Sequence, residues 1–188
     1  MGFIINKDDR KSAELLDCGS FGLEKENLRI DENGNLSHTK HPFGTDFSRD
    51  RDFCENQVEM ITGVNENVDS MWNEIAELDR DTKDTILKLD TGKEYLWPFS
   101  NPPYVKGEDD IPIAQYEGEL AVKTVYREHL AATYGKKKML FSGIHYNFSF
   151  NESLVQKLYE ANHHELEYRL FKDQIYLKVV RNYIRYRW

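Results

Sequence analysis

The sequence predicts an α+β protein with a mainly antiparallel sheet and helices packed on one side of it. Three observations carry that prediction. The strand-like segments alternate apolar and polar residues, the pattern of half-buried antiparallel strands rather than of doubly covered parallel ones. Stretches with three- and four-residue apolar spacing lie between them, as amphipathic helices require. The 188 residues suffice for one medium-sized core and are too few for two comfortable ones. No repeat, low-complexity tract or Pro/Gly/Ser-rich linker divides them, so residues 1–188 are expected to form a single domain.

Taken in order, Phe21 to Ile30 reads as a strand, and the turn-rich Asp31-Glu32-Asn33-Gly34-Asn35 after it is a hairpin signal. Asn56 to Thr62 reads as a second strand, closed by Gly63. Val68, Met71, Trp72, Ile75, Leu78, Ile86 and Leu89 mark one long amphipathic helix, with Gly92 placed as its C-terminal cap. Tyr95 to Asn101, stopped by Pro102-Pro103, is expected as a loop or short edge strand. A second helix is expected from about Glu117 to Tyr134, capped by Gly135. Leu140 to Phe150 then alternates: Ile144, Tyr146, Phe148 and Phe150 are expected to face a core, and Gly143, His145, Asn147 and Ser149 the other side. Asn151 is a good N-cap for a third helix through Leu154, Leu158 and Ala161. Leu166 to Trp188 continues as a helical pattern.

Composition excludes several classes. With 39% hydrophobic and 31% charged residues the chain is globular, not disordered. A net charge of −8 argues against nucleic acid as a partner, which calls for an excess of Lys and Arg. Cys18 and Cys54 form no CxxC, so neither a disulfide scaffold nor a zinc cluster is expected, and a reducing cytoplasm fits best. The apolar run at Met1 to Lys7 is too short for a signal peptide. No run approaches the ~18 residues of a membrane span, so no membrane partner is expected. The end, Lys178 to Trp188, is apolar, aromatic and basic to the last residue and reads as a chain cut inside a structured element.

The candidate chemistry starts at Glu24 and Glu26. Two residues apart on a strand, they share a face and stand about 7 Å apart along it. The pair admits two readings, a solvated strand face or a seat for a hard cation, which takes oxygen ligands. In Asp52 to Thr62, Glu55, Gln57 and Glu59 share a face, which Asp52 reaches only from a loop or bulge before the strand. His145 lies on the polar strand face beside Gly143, where the missing side chain allows close approach to the backbone. Tyr126-Arg127-Glu128 sets an aromatic beside a guanidinium on the second helix. Singly, each has a structural explanation: a hydrogen-bonded strand histidine, a turn-capping aspartate, a solvated Arg-Glu pair, a small buried cysteine.

Together, these stretches resemble the bacterial glutamate–cysteine ligase (γ-glutamylcysteine synthetase) family, including the ligase half of the bifunctional glutathione synthases. The match runs in order through Gly22-Leu23-Glu24-Lys25-Glu26-Asn27-Leu28-Arg29, Asp52-Phe53, Glu59-Met60-Ile61-Thr62 and Leu96-Trp97-Pro98-Phe99-Ser100. It continues through Ile113-Ala114-Gln115-Tyr116, Tyr126-Arg127-Glu128, Ser142 to Ser149 and Arg181-Asn182-Tyr183. The resemblance implies ATP-dependent ligation of the L-glutamate γ-carboxylate to L-cysteine through γ-glutamyl phosphate, the first step of glutathione biosynthesis. It places Glu24, Glu26, Asp52, Glu59 and His145 at metal-binding positions, for Mg²⁺ or Mn²⁺ with ATP as co-substrate. It places Phe53, Tyr126, Arg127 and Leu130 in or beside the cysteine pocket, with Tyr126 and Arg127 recognising the amino-acid carboxylate. It implies a glutamine-synthetase-like fold whose antiparallel sheet curves around the active site, here incomplete.

No segment here matches the family's further metal-binding glutamate or its arginines for glutamate and phosphate. The charged stretch Phe43 to Arg51 also departs from the family. Three readings follow. The chain is the N-terminal portion of a ligase, truncated and inactive alone. Or it is a non-catalytic short form, self-associating or meeting a partner through Tyr183, Tyr186 and Trp188. Or it is a carboxylate–amine ligase for another amine.

Overall fold

The computed structural model describes residues 10–16, 18–162 and 166–187. The expectations for Met1 to Lys7 and for Trp188 lie outside them. Helices α1 (Arg10–Leu16), α2 (Val68–Leu87), α3 (Ala121–Tyr134), α4 (Glu152–Ala161) and α5 (Tyr168–Tyr186) are joined by strands β1 (Gly19–Asp31), β2 (Arg49–Asp50), β3 (Gln57–Ile61), β4 (Glu94–Leu96) and β5 (Ile144–Phe150). The chain divides into two compact units, one of Phe21–Asn147 and one of Met1–Ser20 with Phe148–Trp188.

The larger unit is built on an open sheet in the order β2-β3-β1-β4, with β5 also pairing β1. β1 runs antiparallel to β3, with Glu24 opposite Ile61 and Glu26 opposite Glu59, and antiparallel to β4, with Arg29 opposite Leu96. The period of two sends Leu23, Val58 and Met60 to one side, where they cluster with Met71, Ile75 and Ile86 of α2. Lys25 leaves β1 on that same side and pairs with Asp79 of α2. Leu28 leaves on the opposite side and joins a second core of Leu36, Phe53, Cys54, Ile111 and Leu140. The Asp31–Asn35 hairpin turn forms because Asp31 Oδ1 accepts from the amides of Asn33 and Asn35, each at 2.9 Å, and Gly34 takes φ +80°. Ile30 then bridges Leu36.

In the smaller unit Asn151 caps α4, its side chain accepting from Ser153 N at 2.9 Å. Val155 of α4 packs with Phe171 and Ile175 of α5, and Phe150 closes against this cluster.

Several elements differ from expectation. β2, which pairs Asp50 with Glu59, and α1 have no apolar alternation and were not expected. Helix α2 stops at Leu87 with Lys88 as its cap, and Gly92, at φ +121°, belongs to the turn before β4. Trp72 is exposed although its spacing suits the buried stripe, which runs through Met71, Ile75, Thr82 and Ile86. Helix α3 begins at Ala121, after a 3₁₀ turn over Gly118–Leu120. Of the four residues of β5 expected to face a core, Phe150 does so, but Ile144, Tyr146 and Phe148 are 66%, 51% and 37% exposed. Among the described strands β5 pairs only β1, and neither core cluster of the larger unit includes its residues. Tyr183 and Tyr186 on α5 are exposed.

Candidate metal centre

The side of the β1–β3 pair away from α2 gathers the acidic residues. Antiparallel register sets Glu26 of β1 across from Glu59 of β3, and Glu24 follows two residues along on the same face. His145 of β5 closes the group. Its Nδ1 lies 3.1 Å from Glu24 Oε2 and its Nε2 3.9 Å from Glu26 Oε1. One ligand atom each from Glu24, Glu59 and His145 lies within 4.8 Å of the other two.

Two neighbours hold these carboxylates in place. The Gly143 amide donates to Glu26 Oε2 at 2.7 Å, and the Glu26 amide donates back to Gly143 O at 3.1 Å. Asn147 Nδ2 donates to Glu24 Oε1 at 3.0 Å. Asn147 shares the parity of His145 in the sequence, and that parity is the signal by which its role could have been found.

Asp52 lies in the turn between β2 and β3, the kind of position its parity calls for; its charge acts on Glu26 and Glu59, but it is not among the three residues whose ligand atoms converge. Burial raises the pKa of Glu59 to about 7, and the charges of Asp52, Glu24, Glu26 and Asp50 push in the same direction. Burial also holds Glu26 and Asp52 above the usual carboxylate range; the Gly143 amide opposes this at Glu26, and the Arg127 guanidinium opposes it at Asp52. His145 is shifted upward, chiefly by its hydrogen bond to Glu24. Carboxylates forced together out of water repel, and a bound cation reverses that penalty. The donor set of carboxylate oxygens with one imidazole suits Mg²⁺ or Mn²⁺.

The substrate-pocket candidates lie on and around α3. Tyr126 is exposed, Leu130 packs on the second core, and Phe53 is buried within it at 1% exposure. Arg127 is turned onto the chain itself, donating from Nε to Asp52 O, from Nη2 to Arg51 O at 2.9 Å and from Nη1 to Lys123 O at 2.9 Å. Beside it the Tyr116 hydroxyl donates to Asp50 Oδ1 at 2.8 Å, and Lys123 Nζ to Asp50 Oδ2 at 2.8 Å. Asp50, Tyr116 and Lys123 were not anticipated, because nothing in their spacing marks a site.

The glutamate-cysteine ligase family model matches residues 5–188. The chain belongs to the glutamate-cysteine ligase family. Within the family it is 44% identical to the glutathione biosynthesis bifunctional protein GshAB of Listeria monocytogenes, over 97% of this chain and 24% of that protein. It is 36% identical to the glutamate–cysteine ligase of Clostridium acetobutylicum, over 96% of this chain and 38% of that protein. It therefore spans about a quarter to two fifths of these relatives' lengths. Its fold superposes on a bifunctional glutathione synthetase from Pasteurella multocida with a TM-score of 0.84 at 31% identity, over 96% of this chain and 24% of that one. Glutamate–cysteine ligase from Francisella tularensis, solved in complex with AMP, gives 0.75 at 31% identity, over 88% of this chain and 32% of that one. Among the described residues no helix is long and apolar enough to cross a membrane.

Proposed function

We propose that this chain contributes a metal–ATP site to the ATP-dependent ligation of glutamate, through its γ-carboxylate, to cysteine, the first step of glutathione biosynthesis. The observation that carries the reading is the convergence of Glu24, Glu59 and His145 ligand atoms within 4.8 Å. Glu24, Glu26, Asp52, Glu59 and His145 would hold Mg²⁺ or Mn²⁺. Such an ion would supply charge neutralisation for ATP phosphates during transfer to a carboxylate, which is otherwise a poor electrophile.

This chain's own residues do the preparatory work. Gly143 fixes one oxygen of Glu26, and Asn147 fixes one oxygen of Glu24, whose other oxygen meets His145 Nδ1. With the Glu59 pKa raised to about 7, an ion would compete with a proton for this carboxylate near neutral pH, and binding it would complete the ligand charge. Phe53, Tyr126, Arg127 and Leu130 mark the α3 side, where we place the amine substrate. A γ-glutamyl phosphate formed on the carboxylate side would then meet the cysteine amine. The free thiols of Cys18 and Cys54 agree with a cytoplasmic setting.

The test has two parts. Titration with Mn²⁺ and then ATP should show metal-dependent nucleotide binding by this chain; a lack of Mn²⁺ uptake at neutral pH refutes the site. Phosphate release from ATP should then be measured with glutamate and a panel of amines, on this chain and on a longer chain that continues it as its relatives continue. Cysteine-dependent release is expected. Release with another amine but not with cysteine overturns the substrate assignment.

A further inference from the structure

Arg127 invites assignment as a substrate-carboxylate binder, but its geometry points to a different role. Each of its three nitrogens is already committed to a main-chain carbonyl: Nε to Asp52, Nη2 to Arg51 and Nη1 to Lys123. Two of those carbonyls belong to the turn that carries Asp52. We infer that Arg127 is a positioning residue, whose guanidinium clamps the Arg51–Asp52 turn to α3 and thereby presents the Asp52 carboxylate to the Glu24–Glu59–His145 group. The inference rests on the metal reading of that group.

The stretch around Asp52 is fixed at each end by other means. On its N-terminal side Asp50 is held by Lys123 and by the Tyr116 hydroxyl, whose single hydrogen is shared between Asp50 Oδ1 and Arg51 O, 2.9 Å away. On its C-terminal side Phe53 is buried, and its amide donates to Gln57 Oε1 at 3.1 Å. Between these anchors Arg51 is tied outward by its own Nη1, which donates to Gln115 O at 2.7 Å and to Glu55 Oε2 at 3.2 Å, while Arg127 takes the carbonyls of both Arg51 and Asp52. The Tyr116 ring supports the clamp from beneath, with the Arg51 guanidinium 4.0 Å and the Arg127 guanidinium 5.0 Å from its centroid. A planar five-donor fork suits this task, whereas a lysine ammonium could not meet three divergent carbonyls from one point.

A carboxylate-binding arginine and a clamping arginine predict different losses. Arg127→Ala and Arg127→Lys should be compared with wild type and with Asp52→Asn by Mn²⁺ titration, and by hydrogen exchange of the peptide spanning Arg51–Asn56. The clamp predicts that Arg127→Ala weakens Mn²⁺ binding about tenfold, the scale for groups that orient a metal ligand, and speeds exchange in that peptide but not in β1. Arg127→Lys should fall between Arg127→Ala and wild type. Adding Asp52→Asn to Arg127→Ala should cost less than the sum of the two single losses, because both act through one carboxylate. A folded Arg127→Ala with wild-type Mn²⁺ affinity overturns the inference. If Arg127→Ala does not fold, Arg127→Lys decides by the same two measurements. Should wild type bind no Mn²⁺, the metal reading fails by itself; faster exchange in Arg127→Ala then upholds the clamp, and unchanged exchange overturns it too.

Discussion

The two faces of the β1–β3 pair share one backbone and one register and meet opposite environments. Toward α2 the alternation delivers Leu23, Val58 and Met60 into a dry cluster with Met71, Ile75 and Ile86. On the other side the same alternation delivers Glu24, Glu26 and Glu59, which repel one another as burial strips them of water. The first face supplies favourable free energy, and on the other the three carboxylates consume it, although Leu28 at the end of that face joins the second core. Stability and chemistry are therefore separable on this sheet residue by residue, and a one-residue slip of register would exchange them.

The sharpest way to break that separation is Met60→Ala. Met60 is fully buried, and truncating such a side chain costs about 2–5 kcal/mol through lost burial and the cavity left behind. Denaturant unfolding should show a loss in that range, while the Mn²⁺ affinity of the folded fraction stays at the wild-type value. A matching fall in affinity without unfolding would mean the faces are coupled.

Glu59→Gln attacks the other face and should act in the reverse sense. Metal affinity should fall at least tenfold, about 1.4 kcal/mol, while the metal-free protein becomes more stable. The sign follows from linkage. The folded pKa of Glu59 is about 7, raised from a reference of 4.5, so the folded state holds this proton more tightly than the unfolded chain. Its contribution to stability is fully present below about pH 4.5 and is lost as pH rises through about 7. Metal-free wild type should therefore lose stability across that window, and Glu59→Gln should lose less. Protons compete with the ion for the same oxygen, so Mn²⁺ affinity in wild type should weaken as pH falls below 7. Equal pH slopes in the two proteins would show that Glu59 is not the strained group.

Much of this contrast was legible in the sequence. The alternation around Glu24 and Glu26 fixed both the strand and the face, and the parity of Asp52 required the turn from which it enters. The family resemblance then joined Glu59 and His145 to them, as the structure does for Glu24, Glu59 and His145. Less legible was anything decided by what lies opposite. β5 alternates as a half-buried strand should, yet Ile144 and Tyr146 are exposed, because a period of two reports a face and not what covers it. Trp72 fails for a related reason, sitting at the margin of the buried stripe on α2. The roles of Tyr116 and Arg127 rest on main-chain carbonyls, which a sequence does not display.

Gly143→Ala probes the carboxylate face more gently. An added Cβ would stand 3.3 Å from His145 Nε2 and 3.8 Å from Glu26 Oε2. The imidazole must then give by a few tenths of an ångström, while the Gly143 amide that holds Glu26 remains. Mn²⁺ binding should weaken only a few-fold, and unfolding free energy should shift by about 0.5 kcal/mol or less, as for substitutions away from packed cores. A larger stability loss than affinity loss would place this glycine in the frame of the sheet rather than in the site.

The smallest expected effect tests the Lys25 charge, which crosses to the apolar face. Lys25 lies between Glu24 and Glu26 in sequence but leaves β1 toward α2, where it pairs with Asp79 at side-chain exposures of 27% and 19%. Asp79 also pairs with Lys83, so removing Lys25 does not strand a buried carboxylate. Lys25→Met keeps the aliphatic stem that packs beside α2 and deletes only the ammonium. Its cost should be about 1 kcal/mol or less, falling further in high salt. Because the backbone of β1 stands between this pair and the carboxylate group, Mn²⁺ affinity should change less than in Gly143→Ala. A greater change would mean that the Lys25 charge is felt through the sheet, and that the two faces are separated in packing but not in electrostatics.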